Sequence, residues 1–113
     1  MDNVIVGKSL EFAVKIVNAY KTLCKEQQEY VLSKQLLRSG TSIGANVREG
    51  VYAQSKSDFI AKMSIALKEA AETQYWLELL KRTEYLTGEE DVFGECDEVV
   101  KILTAIVKRS KEE

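Results

Sequence analysis

No proline interrupts the 113 residues of this chain, and only six glycines do. Proline is the strongest helix breaker, because it removes a backbone donor and clashes with the preceding turn. A chain free of it can run long helices, and the apolar residues follow suit. They recur at spacings of three and four in four stretches, and nowhere sustain the alternation of a half-buried strand. At 45% apolar and 30% charged, the composition is that of a globular protein rather than a disordered one. A chain of this length suits one domain with a sizeable core.

The periodicity predicts helices at about 5–24, 30–53, 57–84 and 89–110, hence an all-α, antiparallel up-down-up-down four-helix bundle in a single domain spanning residues 1–113. In the first helix Leu10, Ala13, Val14, Val17 and Tyr20 form the main repeat, widened by Phe12, Ile16 and Leu23. The polar run Lys25-Glu26-Gln27-Gln28-Glu29 reads as the first connection. The second stretch has a loop-like centre, Ser39-Gly40-Thr41-Ser42-Ile43-Gly44-Ala45. Each interior glycine there costs about 1 kcal/mol relative to alanine. Yet the phase set by Leu32 and Leu36 resumes unbroken at Ile43 and Val47, which a loop has no reason to preserve. It is therefore read as helix, with Gly40 and Gly44 admitting a neighbouring helix closely.

Ser55-Lys56-Ser57-Asp58 and Thr87-Gly88-Glu89-Glu90 both have capping-box form and open the third and fourth helices. The third carries Phe59, Met63, Ala66, Ala70, Leu77 and Leu80 on one face. Leu67, Tyr75, Trp76 and Leu79 spill beyond it, a wider stripe than a two-neighbour helix needs, and this points to an oligomer interface. The fourth buries Val92, Cys96, Val99, Leu103 and Ile106; acids crowd its start and bases its end, which complements the helix dipole.

Several chemistries are excluded. The chain has no histidine, so the commonest general base, the His-dependent nucleophile pairs and the Glu-x-x-His ligands of di-iron bundles are all missing. Cys24 and Cys96 lie far apart without a CxxC pattern and read as free thiols, with a helix–helix disulfide as the alternative, and no metal or cofactor is expected. Gly7-Lys8-Ser9 imitates the end of a phosphate loop, but the required earlier glycine would fall at Asp2, and no strand precedes it. No catalytic set is assigned, and Glu69 with Glu72, one turn apart, read as solvated or salt-bridged positions. The start, Met1-Asp2-Asn3-Val4, lacks the form of a signal peptide. No apolar run approaches the ~20 residues of a membrane span. A cytoplasmic protein without a membrane partner is expected.

The second helix holds the informative constellation. Gln35, Arg38, Ser42, Asn46 and Glu49 share a sector of about 80° beside the apolar stripe. With Glu72 of the third helix they make either an inter-helix polar network that fixes register or a ligand pocket. Lys34, Arg38, Arg48 and Lys56 stand against Glu49 alone between residues 30 and 56, a local +3 in a chain of net charge −2. Such a basic face is a candidate contact for nucleic acid.

Two stretches carry a family likeness. Gln35-Leu36-Leu37-Arg38-Ser39-Gly40-Thr41-Ser42-Ile43-Gly44-Ala45-Asn46-Val47-Arg48-Glu49-Gly50 is one. Ser57-Asp58-Phe59-Ile60-Ala61-Lys62-Met63, followed by Leu67-Lys68-Glu69-Ala70, Glu72-Thr73 and Tyr75-Trp76-Leu77, is the other. Together they resemble the four-helix-bundle family first noted as proteins encoded in 23S ribosomal RNA intervening sequences. Ala66 departs from the serine of many relatives. The resemblance implies a homo-oligomer, typically a five-subunit ring, with no known enzymatic activity. A related branch, the basic accessory proteins of diversity-generating retroelements, engages RNA and a reverse transcriptase. The expectation is thus a non-catalytic pentameric scaffold or adaptor whose partner is itself; the alternative is an accessory protein that binds RNA, or an RNA-binding protein, through the second helix.

Overall fold

The computed structural model describes residues 3–113, so the readings that rest on Met1 and Asp2 lie outside the described residues. Four helices account for nearly all of the rest: α1 (Asn3–Gln27), α2 (Leu32–Val51), α3 (Lys56–Arg82) and α4 (Asp91–Glu112). Each packs on its sequence neighbour, and α1 closes the square against α4. The result is an antiparallel bundle 46 Å long and 19 Å across. None of the described helices is long and apolar enough to cross a membrane.

α2 runs unbroken through Gly40 and Gly44 because the space over each is filled from α1. A Cβ on Gly40 would stand 2.8 Å from the Ile16 side chain, and one on Gly44 would stand 3.3 Å from the Ser9 carbonyl. This fit corrects the expected orientation of α1. Ile5, Ser9, Phe12, Ile16 and Leu23 face the core, whereas Leu10 and Val14 are each 54% exposed. α1 carries two overlapping apolar stripes, and the one that meets the glycine grooves of α2 is turned inward.

The first turn also differs from expectation. α1 continues through Lys25 to Gln27, Gln28 takes the left-handed conformation (φ 51°), and Glu29 follows it in the short connection before α2. The Glu29 carboxylate accepts from the N–H groups of Val31, Leu32 and Ser33, at 2.7 Å for Ser33. Those are donors that a helix start leaves without partners. Burial alone would raise the Glu29 carboxyl, but these backbone donors outweigh it and hold the group below its ordinary value. At the second turn Ser55 caps α3 by accepting from Asp58 N at 3.0 Å. Thr87 and Glu90 make half of the expected box: the Glu90 carboxylate accepts from the Thr87 N–H, and also from the Thr87 hydroxyl and the Gly88 N–H. Thr87 Oγ1 accepts from the N–H of Glu89, so together they order the turn before α4. The turns before α2 and α4 sit at the same end of the bundle, joined by Gln27 Nε2 donating to the Tyr85 carbonyl at 2.7 Å.

The α1–α4 seam is the sparsest of the four and is laced by ion pairs. Lys8 pairs with Glu98, and Lys15 Nζ lies 2.6 Å from Glu95 and 3.7 Å from Asp91. The acids at the start of α4 therefore serve the first helix as well as their own dipole. Both cysteines are free. Cys96 is buried against the Ala70 carbonyl, and burial pushes its thiol up to about 12.

Two outcomes follow. Gly40→Ala gains helix propensity yet is expected to lose about 1–3 kcal/mol in urea unfolding, because the Ile16 side chain cannot give way without overpacking. Glu29→Gln is expected to cost about 1 kcal/mol at neutral pH, as loss of a cap does. Because the folded value of Glu29 lies below the unfolded one, its contribution is complete above the ordinary carboxylate range and fades as pH falls through the folded value. Wild-type and variant stabilities, followed by circular dichroism, should therefore converge in acid.

Candidate functional site

The polar stripe of α2 faces α3, but it forms two separate bridges rather than one connected network. Arg38 spans the helices, with Nη1 3.3 Å from Glu69 Oε2 and Nη2 bonded to Glu72 Oε2. Trp76 Nε1 donates to the same Glu72 oxygen at 3.0 Å. About three turns further along α2, Glu49 pairs with Lys62 at 3.0 Å. Ser42 Oγ donates to the Arg38 carbonyl and Asn46 Nδ2 to the Ser42 carbonyl, so both turn back onto their own helix. Gln35 is exposed and has no side-chain hydrogen bond among the described residues.

The chemistry of this cluster is that of a clasp. The Trp76 indole N–H, and after it the Arg38 guanidinium, hold the Glu72 carboxyl below the usual carboxylate range. Glu72 in turn raises Arg38, already a permanent cation. Neither group is poised to exchange a proton near neutral pH. No group of three or more Cys, Asp or Glu side chains that could hold a metal ion exists among the described residues. Beneath the clasp lies a pair not singled out from the sequence. The Ser39 and Thr73 hydroxyls, both fully buried, are 2.9 Å apart, and Thr73 also donates to the Glu69 carbonyl at 2.8 Å. Their positions in the apolar phase of each helix were the available signal, since a buried hydroxyl needs a partner.

The cations expected to form a basic face, Lys34, Arg38 and Arg48 of α2 and Lys56 at the start of α3, divide in the same way. Arg38 is neutralised by α3, and Lys56 Nζ lies 3.9 Å from Glu113. Lys34 and Arg48 point outward with no ion-pair partner among the described residues.

The expected interface residues of α3 are partly used within the chain. Leu67 and Trp76 pack against the core, and Leu79 is half-buried. Tyr75 is 59% exposed, edge-on to Trp76 with ring centroids 5.0 Å apart. A larger uncovered apolar surface lies on the α1–α2 edge. There Leu10 joins Val6 and Ala13 of α1 and Thr41, Ala45 and Arg48 of α2 around a groove of 190 Å³. Val14, on the adjoining turn, extends it outward.

Trp76 is the single tryptophan, so its fluorescence reports on the clasp. An acid titration should show an emission change as Glu72 protonates, with a midpoint below the ordinary carboxylate value of about 4.3. Arg38→Ala should move that midpoint upward while costing no more than about 1 kcal/mol, because the pair is partly exposed.

Residues 1–105 match the family model described as 23S rRNA-intervening sequence protein. No curated protein gives a significant match. Among solved structures the chain is similar to a protein of unknown function from the S23 ribosomal protein family of Bacteroides thetaiotaomicron VPI-5482. That crystal structure shares 62% identity over 95% of this chain and 97% of its own, with a TM-score of 0.92. With nearly its whole length matched in sequence and its four-helix fold shared, this chain belongs to the 23S rRNA-intervening sequence protein family.

Proposed function

We propose that the protein is a non-catalytic, homo-oligomeric scaffold that assembles as a small ring, of five copies by family resemblance, and presents repeated surfaces to a partner. One observation carries this reading: the uncovered apolar edge of α1 and α2, where Leu10 and Val14 are each 54% exposed. Single exposed leucines need no explanation. Here, however, they adjoin Val6, Ala13 and Ala45 along one groove, and contiguous apolar surface is the usual mark of an interface. The charged side chains Arg38, Glu49 and Glu72 are each spent on bridging α2 to α3, which fits a structural part for the polar seam.

Binding of RNA through α2 is the second reading. Its support is Lys34 and Arg48, which a ring would repeat around its circumference so that weak contacts multiply. It ranks lower because Arg38, the middle cation of the set, is already neutralised by Glu69 and Glu72.

Size-exclusion chromatography with light scattering tests the first reading. At micromolar concentration the wild-type mass should be a multiple of the 12.8 kDa chain. Leu10→Glu combined with Val14→Glu should reduce it to one chain, with helical circular dichroism retained because both positions are on the surface. A wild-type protein that stays monomeric would refute the scaffold. Titration with structured RNA at low salt addresses the second reading, which requires binding that weakens with salt and with Arg48→Glu.

A further inference from the structure

Two glycines lack a reason within the subunit. Gly40, Gly44 and Gly50 each lie close against another element. Gly7 in α1 and Gly94 in α4 face open space, where an added Cβ would meet nothing within 4 Å. Glycine inside a helix is disfavoured relative to alanine, so a use outside the subunit is the physical alternative.

Gly94 lines an open hollow of 440 Å³ on the α1–α4 face, among Lys15, Glu89, Asp91, Glu95 and Glu98. Lys15 and Lys8 answer these carboxylates only in part. The face around the corner has the opposite character. Along the α1–α2 edge the helical spacing places Lys21, Lys34 and Arg48 beside Leu10, Val14 and Ala45, with no carboxylate in that sector.

We propose that the α1–α2 edge of one copy docks on the α1–α4 face of the next, with Arg48 entering the acidic hollow over Gly94. The proposal rests on the scaffold reading and names its contact surface. A second copy is the occupant because both halves of the match are carried by this chain: a cationic, apolar edge without acids and an acidic hollow kept open by a missing side chain. The two faces share α1 and are set about a quarter-turn apart in a square bundle. A head-to-tail contact between adjacent faces turns by roughly that angle per copy, which is the rotation a small closed ring needs.

The test uses the full chain and light scattering. Gly94→Trp has room in the isolated subunit and should stay helical while losing assembly. Gly94→Lys, which puts a cation into the hollow where Arg48 would enter, with less bulk, should lose it too. Leu10→Glu with Arg48→Glu should disperse the protein from the other side. Mixed in equal amounts, the Gly94→Trp chain keeps its edge and the Leu10→Glu/Arg48→Glu chain keeps its hollow, so a two-chain species should form where each alone is monomeric. The proposal is overturned if the Gly94 variants retain the wild-type mass, if the mixture stays as single chains, or if Tyr75→Glu disperses the assembly while the Gly94 variants do not. In those cases a wild-type oligomer leaves the scaffold reading standing on another contact. A wild-type monomer removes both.

Discussion

The close approach of α1 to α2 governs the rest of the molecule. Ile16 fills the space over Gly40 and Ser9 lies against Gly44, so α1 has one rotation about its axis at which it can seat. That rotation decides which of its two apolar stripes becomes core. Phe12, Ile16 and Leu23 turn inward, and Leu10 and Val14 are left at the surface. The same rotation brings Lys8 and Lys15 round to the acids of α4. Core, outer surface and ion-paired seam all follow from one pair of contacts between helix backbones and small residues.

Carboxylates do work at the turns that glycine and proline would do elsewhere. Between α1 and α2 there is neither, and the left-handed position falls to Gln28. Glu29 then supplies the acceptors that the start of α2 needs. Glu90 gathers the backbone of the turn before α4, where Gly88 takes φ 95°. The side of the bundle where these turns meet is thus tied by negative side chains to backbone donors, and Gln27 links one turn to the other.

Much of this was legible in the chain, and the exceptions have physical causes. The helical phase from Leu32 through Val47 announced a continuous α2, and the third and fourth helices bury the faces their spacing singled out. α1 was misoriented because periodicity ranks stripes by hydrophobicity alone, whereas its inward face was chosen by shape, against two glycines on another helix. The stripe from Gln35 to Glu49 was legible as a polar sector beside the apolar face, but not which members reach α3: Arg38 and Glu49 do, separately, and the stripe's members are not joined to one another. Ser42 and Asn46 sit one turn from carbonyls on their own helix, and local hydrogen bonds of that kind compete with long-range ones. The apolar surplus of α3 overstated its outer surface, since Trp76 lies over the core and spends its N–H on Glu72.

The ion-paired closure between α1 and α4 has a consequence for how the bundle comes apart. Three of the four seams join helices adjacent in sequence, and only this one links the two ends of the chain. It is also the seam with the fewest contacts and the most charge, so salt weakens it before the apolar seams feel any change. Opening therefore begins as an unzipping of the first helix from the last, with the α2–α3 hairpin persisting as the most protected unit. Freeing α1 altogether also requires lifting Ile16 off Gly40, at the tighter α1–α2 seam, so the opening stops short of releasing the helix. The topology that makes folding local thus leaves the meeting point of the two chain ends as the place where the bundle yields first.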